Sequence, residues 1–423
     1  MKVCILTLGC KVNQYESDAL ANSLEQLGYE VCTKLEKADF YVVNTCAVTN
    51  EAERKSRQTI SKIKKVAGKA KIFVCGCASQ HDANRFADLE GVVFISGVSN
   101  KLKIIQKIEK SFRKKIEVDE LSDIYEDNLI AKKTKTRAYI KIQDGCNNFC
   151  SYCLIPYVRG RSRSRNIISI INEIDALKGD VKEVVLTGID ISNYQIDGEP
   201  ALHKLLNLLK DEPLRIRIGS LEQGRISDEF LTAMEEMPNL CPHFHLSLQS
   251  GSNTVLKRMN RHYTAKQFLK TVKKLRKIYR EPAITTDVIV GFPGETDKEF
   301  KETYNFAKKV RFSGMHIFPY SSRSGTVASK MPQVDGTIKR LRVQKLEKLN
   351  EQLKEKYINK CRKGYHSVLI EEKVDDFYVG YSENYIKCYI PAENLLPNTF
   401  VNVKIIKKFR DGAIATLYEV KNG

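Results

Sequence analysis

No stretch of eighteen consecutive apolar residues occurs anywhere in the 423-residue chain, so a membrane-crossing helix is not expected. Tryptophan is absent, and nothing follows from that. There is no internal repeat and no low-complexity tract, so the chain reads as separate folded domains rather than an array. Acidic residues are in short supply: 51 against 70 basic ones, for a net charge of +19 and a pI near 9.3. Such an excess suggests a polyanionic partner, most simply nucleic acid, with solubility alone as the plainer reading. Twelve cysteines are too few for a disulfide scaffold of this length. Their clustering suits metal ligation in a reducing compartment, and a cytoplasmic location is expected. The opening Met1–Cys10 is apolar but short and has no small-residue cleavage site. It reads as a first buried strand rather than a signal peptide. A hydrophobic content of 42% over this length can build the cores of two to four domains.

The strongest signal is Asp144-Gly145-Cys146-Asn147-Asn148-Phe149-Cys150-Ser151-Tyr152-Cys153. Cysteines separated by three and then two residues can hold three irons of a [4Fe–4S] cube, leaving the fourth iron open to a small molecule. The alternatives are a zinc knuckle or chance. Structural zinc takes four ligands, and no Cys or His follows within twenty residues.

Residues 1–130 alternate strand and helix, which predicts a doubly wound parallel sheet. Strands are expected at Lys2–Leu8, Phe40–Asn44, Lys71–Cys75 and Val92–Ser96, with helices at Tyr15–Leu27, Asn50–Val66 and Lys101–Lys115. Cys10, Cys46 and Cys77 each fall just past the carboxyl end of a strand, where open α/β sheets bind ligands. They either converge or are three unrelated loop cysteines. Cys4 and Cys75 lie within strands and read as small buried thiols. Residues 116–135 read as a linker. Residues 131–361 hold six strand–helix units and a final basic helix over 331–361, which predicts a partial (β/α)6 barrel with its site at the carboxyl ends of the strands. Residues 362–423 change to five short strands, a small β-barrel. There Lys404, Lys407, Lys408 and Arg410 could meet phosphates and Phe377, Tyr378, Tyr381 and Tyr385 could stack on bases. Barrel core and solvated face are the plainer reading for about half of them.

The cysteine string resembles the radical S-adenosylmethionine (SAM) superfamily, with Tyr152 at the aromatic position before the third cysteine. Leu8-Gly9-Cys10-Lys11-Val12-Asn13-Gln14-Tyr15-Glu16-Ser17 and Ile155-Pro156-Tyr157-Val158-Arg159-Gly160-Arg161-Ser162-Arg163-Ser164-Arg165 extend the resemblance to the methylthiotransferases, and among them to those acting on N6-threonylcarbamoyladenosine in tRNA. The resemblance implies a radical-SAM barrel, a terminal TRAM domain and two [4Fe–4S] clusters, one on Cys146, Cys150 and Cys153 and an auxiliary one on Cys10, Cys46 and Cys77. It further implies that one SAM methylates a sulfur and a second generates the radical, so that a methylthio group joins carbon 2 of adenosine 37. Expected SAM contacts are Tyr152, Gly188, Ser220, Glu222, Gln249, Arg261 and Gly291, with Arg261 facing the SAM carboxylate. The basic run Arg159, Arg161, Arg163 and Arg165 is expected to grip anticodon-loop phosphates or the threonylcarbamoyl carboxylate. The implied partners are the tRNA anticodon stem-loop and an unidentified electron donor. Isopentenylated adenosine, a ribosomal-protein aspartate, and a non-enzymatic RNA-binding iron–sulfur sensor stand as alternatives. His243 and His245 read as structural, and Cys32, Cys241, Cys361 and Cys388 have no assigned role beyond buried thiol.

Overall fold

The computed structural model describes residues 1–109, 115–127, 130–131 and 136–418. The first six strands are β1 (Lys2–Thr7), β2 (Glu30–Cys32), β3 (Phe40–Thr45), β4 (Lys71–Gly76), β5 (Val92–Ser96) and β6 (Lys115–Glu117). They form one parallel sheet in the order β2-β1-β3-β4-β5-β6. Strand β3 is buried along its whole length, as a central strand covered by helices on both faces must be. The order reverses between β1 and β3, and that switch point is where such sheets open a crevice. Strand β6 falls in the segment expected to be linker: it has no apolar face to betray it, and edge pairing with β5 suffices. The first helix runs Lys11–Gln26, starting four residues earlier than its apolar periodicity suggested. The end of the helix expected over Lys101–Lys115 lies partly outside the described residues; Leu102–Ile108 is helical.

The central strands are β7 (Arg137–Lys141), β8 (Glu183–Thr187), β9 (Arg215–Ile218), β10 (His243–Leu246), β11 (Ala283–Val290) and β12 (Gly314–Pro319). They lie parallel in two arcs, β9-β8-β7 and Ser220–Leu221-β10-β11-β12. The break is at Gly219, where β9 passes into Ser220–Leu221 and so carries the sheet from one arc to the next. This is the expected six-stranded partial barrel. Around it the largest apolar core packs strand residues such as Ile140, Leu186, Phe244 and Val288 against Ile174, Leu206, Phe268 and Val310 from the helices. The helix Lys11–Gln26 packs on the free edge at β7. The long helix Gly336–Cys361, capped by the Asp335 carboxylate, packs on the free edge at β12. There the Asn350 amide accepts from Met315 N–H at 2.8 Å and donates to its carbonyl at 3.0 Å, pairing an edge that would otherwise stay open.

The last strands, β13 (Tyr365–Val374), β14 (Phe377–Ser382), β15 (Lys387–Ile390), β16 (Phe400–Phe409) and β17 (Gly412–Leu417), close into a barrel in the order β13-β14-β15-β17-β16. This barrel sits under the amino ends of β7–β9. Arg215 donates to the Ser367 and Tyr381 carbonyls at 2.9 and 3.1 Å, and Arg217 to the Glu383 carbonyl at 3.2 Å. Both arginines and Arg137 surround the buried Glu183. Tyr385 stacks on His243 with centroids 4.4 Å apart and on Tyr381 at 4.8 Å. Tyr381 and Tyr385 are therefore spent on the domain contact rather than presented for bases. Lys408 pairs with Glu351 and Arg410 with Asp375 at 3.0 Å.

Candidate metal centres and active site

Cys10, Cys46 and Cys77 leave the ends of β1, β3 and β4, three neighbours at the switch point. Gly9 has φ +106°, and a Cβ there would stand 2.8 Å from both Cβ and Sγ of Cys46. Only glycine lets these two loops touch. Cys10 occupies the cap position of the helix Lys11–Gln26, where unpaired backbone N–H groups favour negative charge. The Asn13 amide ties the loops together, donating to the Leu8 carbonyl at 2.8 Å and the Thr45 carbonyl at 3.0 Å. Gly76, with φ +105°, begins the turn into Cys77–His81 and lies against Asn44 and Thr45 too closely for any side chain.

Arg159 completes this centre from the barrel side. Its side chain is fully buried. Nε donates to Cys77 Sγ at 3.2 Å, while Nη1 and Nη2 reach Glu16 at 2.8 Å, Asp144 at 3.1 Å and Asn13 Oδ1 at 2.7 Å. Glu16 also takes Lys101 at 3.0 Å and Lys141 at 3.2 Å. Burial alone would raise the Glu16 carboxyl; the arginine and the two lysines overcome it and hold it well below its usual range. Cations outnumber carboxylates in this buried network, and Cys77 is the neighbour able to supply the missing negative charge as a thiolate. Burial raises the Cys46 thiol to about 12 and raises Cys77, with Arg159 opposing in the second case. Such thiols shed their protons when a metal takes them. A donor set of two buried cysteines and one exposed one, beside surplus positive charge, fits an anionic iron–sulfur cluster.

The second trio lies on one loop after β7. The buried Gln143 shapes its base: Nε2 donates to the carbonyls of Asp144 at 2.8 Å and Gly145 at 2.7 Å, and Oε1 accepts from Asp190 N–H at 2.7 Å. Backbone N–H groups of Asn148 and Ile155 point at Cys146 Sγ and Cys153 Sγ at 3.5 and 3.4 Å. Arg261 Nη1 donates to Cys150 Sγ at 3.2 Å, and its Nη2 pairs with Glu222 at 3.3 Å. Burial pushes the Cys153 thiol to about 12 and Cys146 higher. The two centres are neighbours. The short helices Cys77–His81 and Ile155–Val158 pack together, and Cys77 is among the charges that raise the Cys153 thiol.

Of the residues expected to contact SAM, Glu222 and Arg261 converge on the cysteine loop. Tyr152 is next to it, its ring edge-on to Phe292 at 6.2 Å. Gly188 presses on the Gln143 carbonyl, where a Cβ would be 2.8 Å away. Ser220 is exposed at the strand break. Gln249 adopts φ +64° and bridges to β11 through its backbone, at 2.9 Å to both Asp287 O and Ile289 N. Gly291 lies against Lys339, its N–H held by Glu295 at 2.7 Å. Sequence reasoning missed Asp190 and Asn148. The Asn148 amide donates to Asp190 at 3.1 Å and to Glu222, closing over Cys146. Burial first, then Glu222, pushes the Asp190 carboxyl up to about 6. The available signal was position: Asp190 follows the end of β8, two residues beyond Gly188.

The arginine run does not form one open face. Arg159 and Arg165 are buried; Arg165 pairs with Glu173 and with Asp127 at 2.7 Å. Arg163 donates to the Arg159 carbonyl at 2.6 Å. Only Arg161 is exposed, over the Phe149 ring at 4.5 Å.

Residues 140–307 match the Radical SAM superfamily, and residues 2–97 match the Uncharacterized protein family UPF0004. The threonylcarbamoyladenosine tRNA methylthiotransferase MtaB of Bacillus subtilis (strain 168) is 39% identical over 96% of this chain and 94% of its own length. The chain belongs to the radical SAM methylthiotransferase family. The MtaB of Aquifex aeolicus (strain VF5) is 39% identical over 88% of the chain and 93% of that relative. A tRNA-2-methylthio-N(6)-dimethylallyladenosine synthase of Caldicellulosiruptor saccharolyticus is 37% identical over 96% and 90%. In fold, the chain is similar to the radical SAM methyltransferase TsrM of Kitasatospora setae, solved with cobalamin and a [4Fe–4S] cluster: TM-score 0.56, 15% identity, 78% of this chain and 77% of that one. Membership in the methylthiotransferase family makes the protein an enzyme whose cofactors are SAM and [4Fe–4S] clusters, the amino-terminal match corresponding to the second cluster. No helix among the described residues is long and apolar enough to cross a membrane.

Proposed function

We propose that this enzyme inserts a methylthio group at carbon 2 of N6-threonylcarbamoyladenosine at position 37 of tRNA. One observation carries the reading: two cysteine trios adjoin at the carboxyl ends of two parallel sheets, in a chain that matches relatives named for that activity over 96% and 88% of its length. Cys146, Cys150 and Cys153 are the ligands of the SAM-cleaving cluster, and Cys10, Cys46 and Cys77 of the auxiliary one. When bound, these groups supply reductive cleavage of SAM and a sulfur donor, the chemistry a strong aromatic C–H bond requires. The protein's own part is electrostatic and steric. Arg159 and Arg261 each direct an N–H at one ligand sulfur and stabilise its negative charge. Glu222 and Arg261 are the charges suited to the SAM amino and carboxylate groups, with Tyr152, Gly188, Ser220, Gln249 and Gly291 as the remaining contacts.

The three units fall at 1–130, 131–361 and 362–423. The last is a TRAM-type barrel that receives the anticodon stem-loop with Lys404 and Lys407. The enzyme works in the cytoplasm with a separate electron donor. Isopentenylated adenosine is the second reading, favoured by the 37% identity to a dimethylallyladenosine synthase. Mass analysis of nucleosides decides. Reconstituted protein, SAM and reductant should convert threonylcarbamoyladenosine in tRNA to its methylthio derivative. Conversion of isopentenyladenosine alone, with SAM cleaved, would overturn the substrate assignment.

A further inference from the structure

Away from the cysteines, one cluster of metal-capable side chains stands inside the barrel among the described residues. His245 on β10, Asp287 on β11 and His316 on β12 bring their ligating atoms within 4.8 Å of one another. The strands fix this meeting. Asp287 and His316 are register partners, and His245 pairs with Thr285 one step along the same face. On β11 Thr286, Val288 and Val290 are buried, while Thr285, Asp287 and Ile289 take the half-buried opposite face, as strand alternation demands.

Three details point to a ligand rather than a plain polar contact. His245 Nε2 and Asp287 Oδ2 are 3.4 Å apart, longer than a charge-assisted hydrogen bond of ~2.7–2.9 Å. It equals the edge of a tetrahedron with metal–ligand bonds of ~2.1 Å. His245 Nδ1 is engaged by the Thr285 hydroxyl at 3.2 Å, leaving Nε2 as the free nitrogen. That hydroxyl also meets His243 Nε2 at 3.0 Å. An imidazole oriented through its second nitrogen is the usual support of a metal-binding histidine. The His316 ring lies 5.9 Å from that of His245 and is exposed, so the third ligand faces open space. Two imidazoles and one carboxylate suit zinc, manganese, iron(II) or cobalt and leave coordination positions vacant. Lys11 and Lys354 lie within electrostatic reach of His316. They disfavour magnesium or calcium held by charge alone and so favour transition-metal ions that also bond to imidazole.

We propose that His245, Asp287 and His316 form a site for one divalent transition-metal ion within the barrel, its open positions available to water or a substrate oxygen. The test uses the full chain reconstituted with iron and sulfide, and two probes, manganese(II) and zinc(II). Manganese is chosen because thiolate sites take it poorly. Equilibrium dialysis and the electron paramagnetic resonance of free manganese should give about one ion per chain, displaced by zinc. H316Q, at an exposed position, and D287N should each weaken binding at least tenfold while iron, sulfide and far-ultraviolet circular dichroism stay unchanged. C10S should leave manganese binding as it is. Equal binding by wild type and H316Q, or no H316-dependent binding of either metal, overturns the proposal.

Discussion

Cys146, Cys150 and Cys153 are drawn from one loop, whereas Cys10, Cys46 and Cys77 come from three strand ends spread over the first domain. Both trios end with one sulfur 3.2 Å from an arginine N–H. The source of that arginine differs. Arg261 belongs to the barrel that carries its own cysteines. Arg159 belongs to the barrel but serves Cys77 in the other domain, and it is bonded to Glu16 and Asn13 there as well. One centre is thus a local feature of a loop. The other gathers its cysteines from one sheet, and gains its arginine only when the two domains dock. A donor set can be written into a short string or assembled by topology, and the second kind is bound to the stability of the whole molecule.

The sharpest way to break this contrast is Arg159→Leu. It removes the buried guanidinium shared by Glu16 and Asp144, leaving Lys101 and Lys141 to hold them, and removing one partner of such a buried pair costs up to about 3–5 kcal/mol. Urea unfolding should register that loss, with iron falling at the first centre. Arg261→Leu should lower iron at the second centre with a smaller change in unfolding midpoint. Next comes the ligation itself. C46A and C150A should each cut iron content by about half. C46A should destabilise the chain by roughly 2 kcal/mol more, because its ligands close a far longer loop of unfolded chain. Equal unfolding midpoints for these variants would remove the distinction. Gly9→Ala comes third. A side chain at φ +106° against Cys46 should cost about 1–2 kcal/mol and loosen only the first centre, read as faster iron loss to a chelator. Smallest is Phe149→Leu at the second centre. It removes the edge-to-face contact with Tyr157 at 5.7 Å, worth about 0.5–1.5 kcal/mol, and should leave the first centre untouched.

The same contrast governs what could be read in advance. The loop trio stands out because its cysteines are neighbours in sequence. The strand-end trio was legible from the βα pattern, since each cysteine follows a strand whose buried apolar run is plain. The role of Arg159 was not legible. A basic run reads as a solvated or anion-binding face; Arg159 is buried against Glu16 only when the two domains dock, and Arg165 against Glu173 of the following helix. Tyr381 and Tyr385 failed as base-stacking candidates for the same reason: a barrel strand has an exposed face until another domain covers it. Asp190 and Asn148 escaped because neither has a patterned neighbour; they meet across 42 positions through the strand end at Thr187.

Local chemistry therefore settled from sequence alone most of the elements and their order, the edge strands β2 and β6 excepted, and which sulfurs are offered, because hydrophobic period, glycine and cysteine spacing act over a few residues. Tertiary structure alone decided which charges neutralise which, that an arginine from one domain would complete a centre in another, and that two histidines and an aspartate would meet on three strands. Those outcomes depend on distances between segments far apart in the chain, which no local pattern encodes.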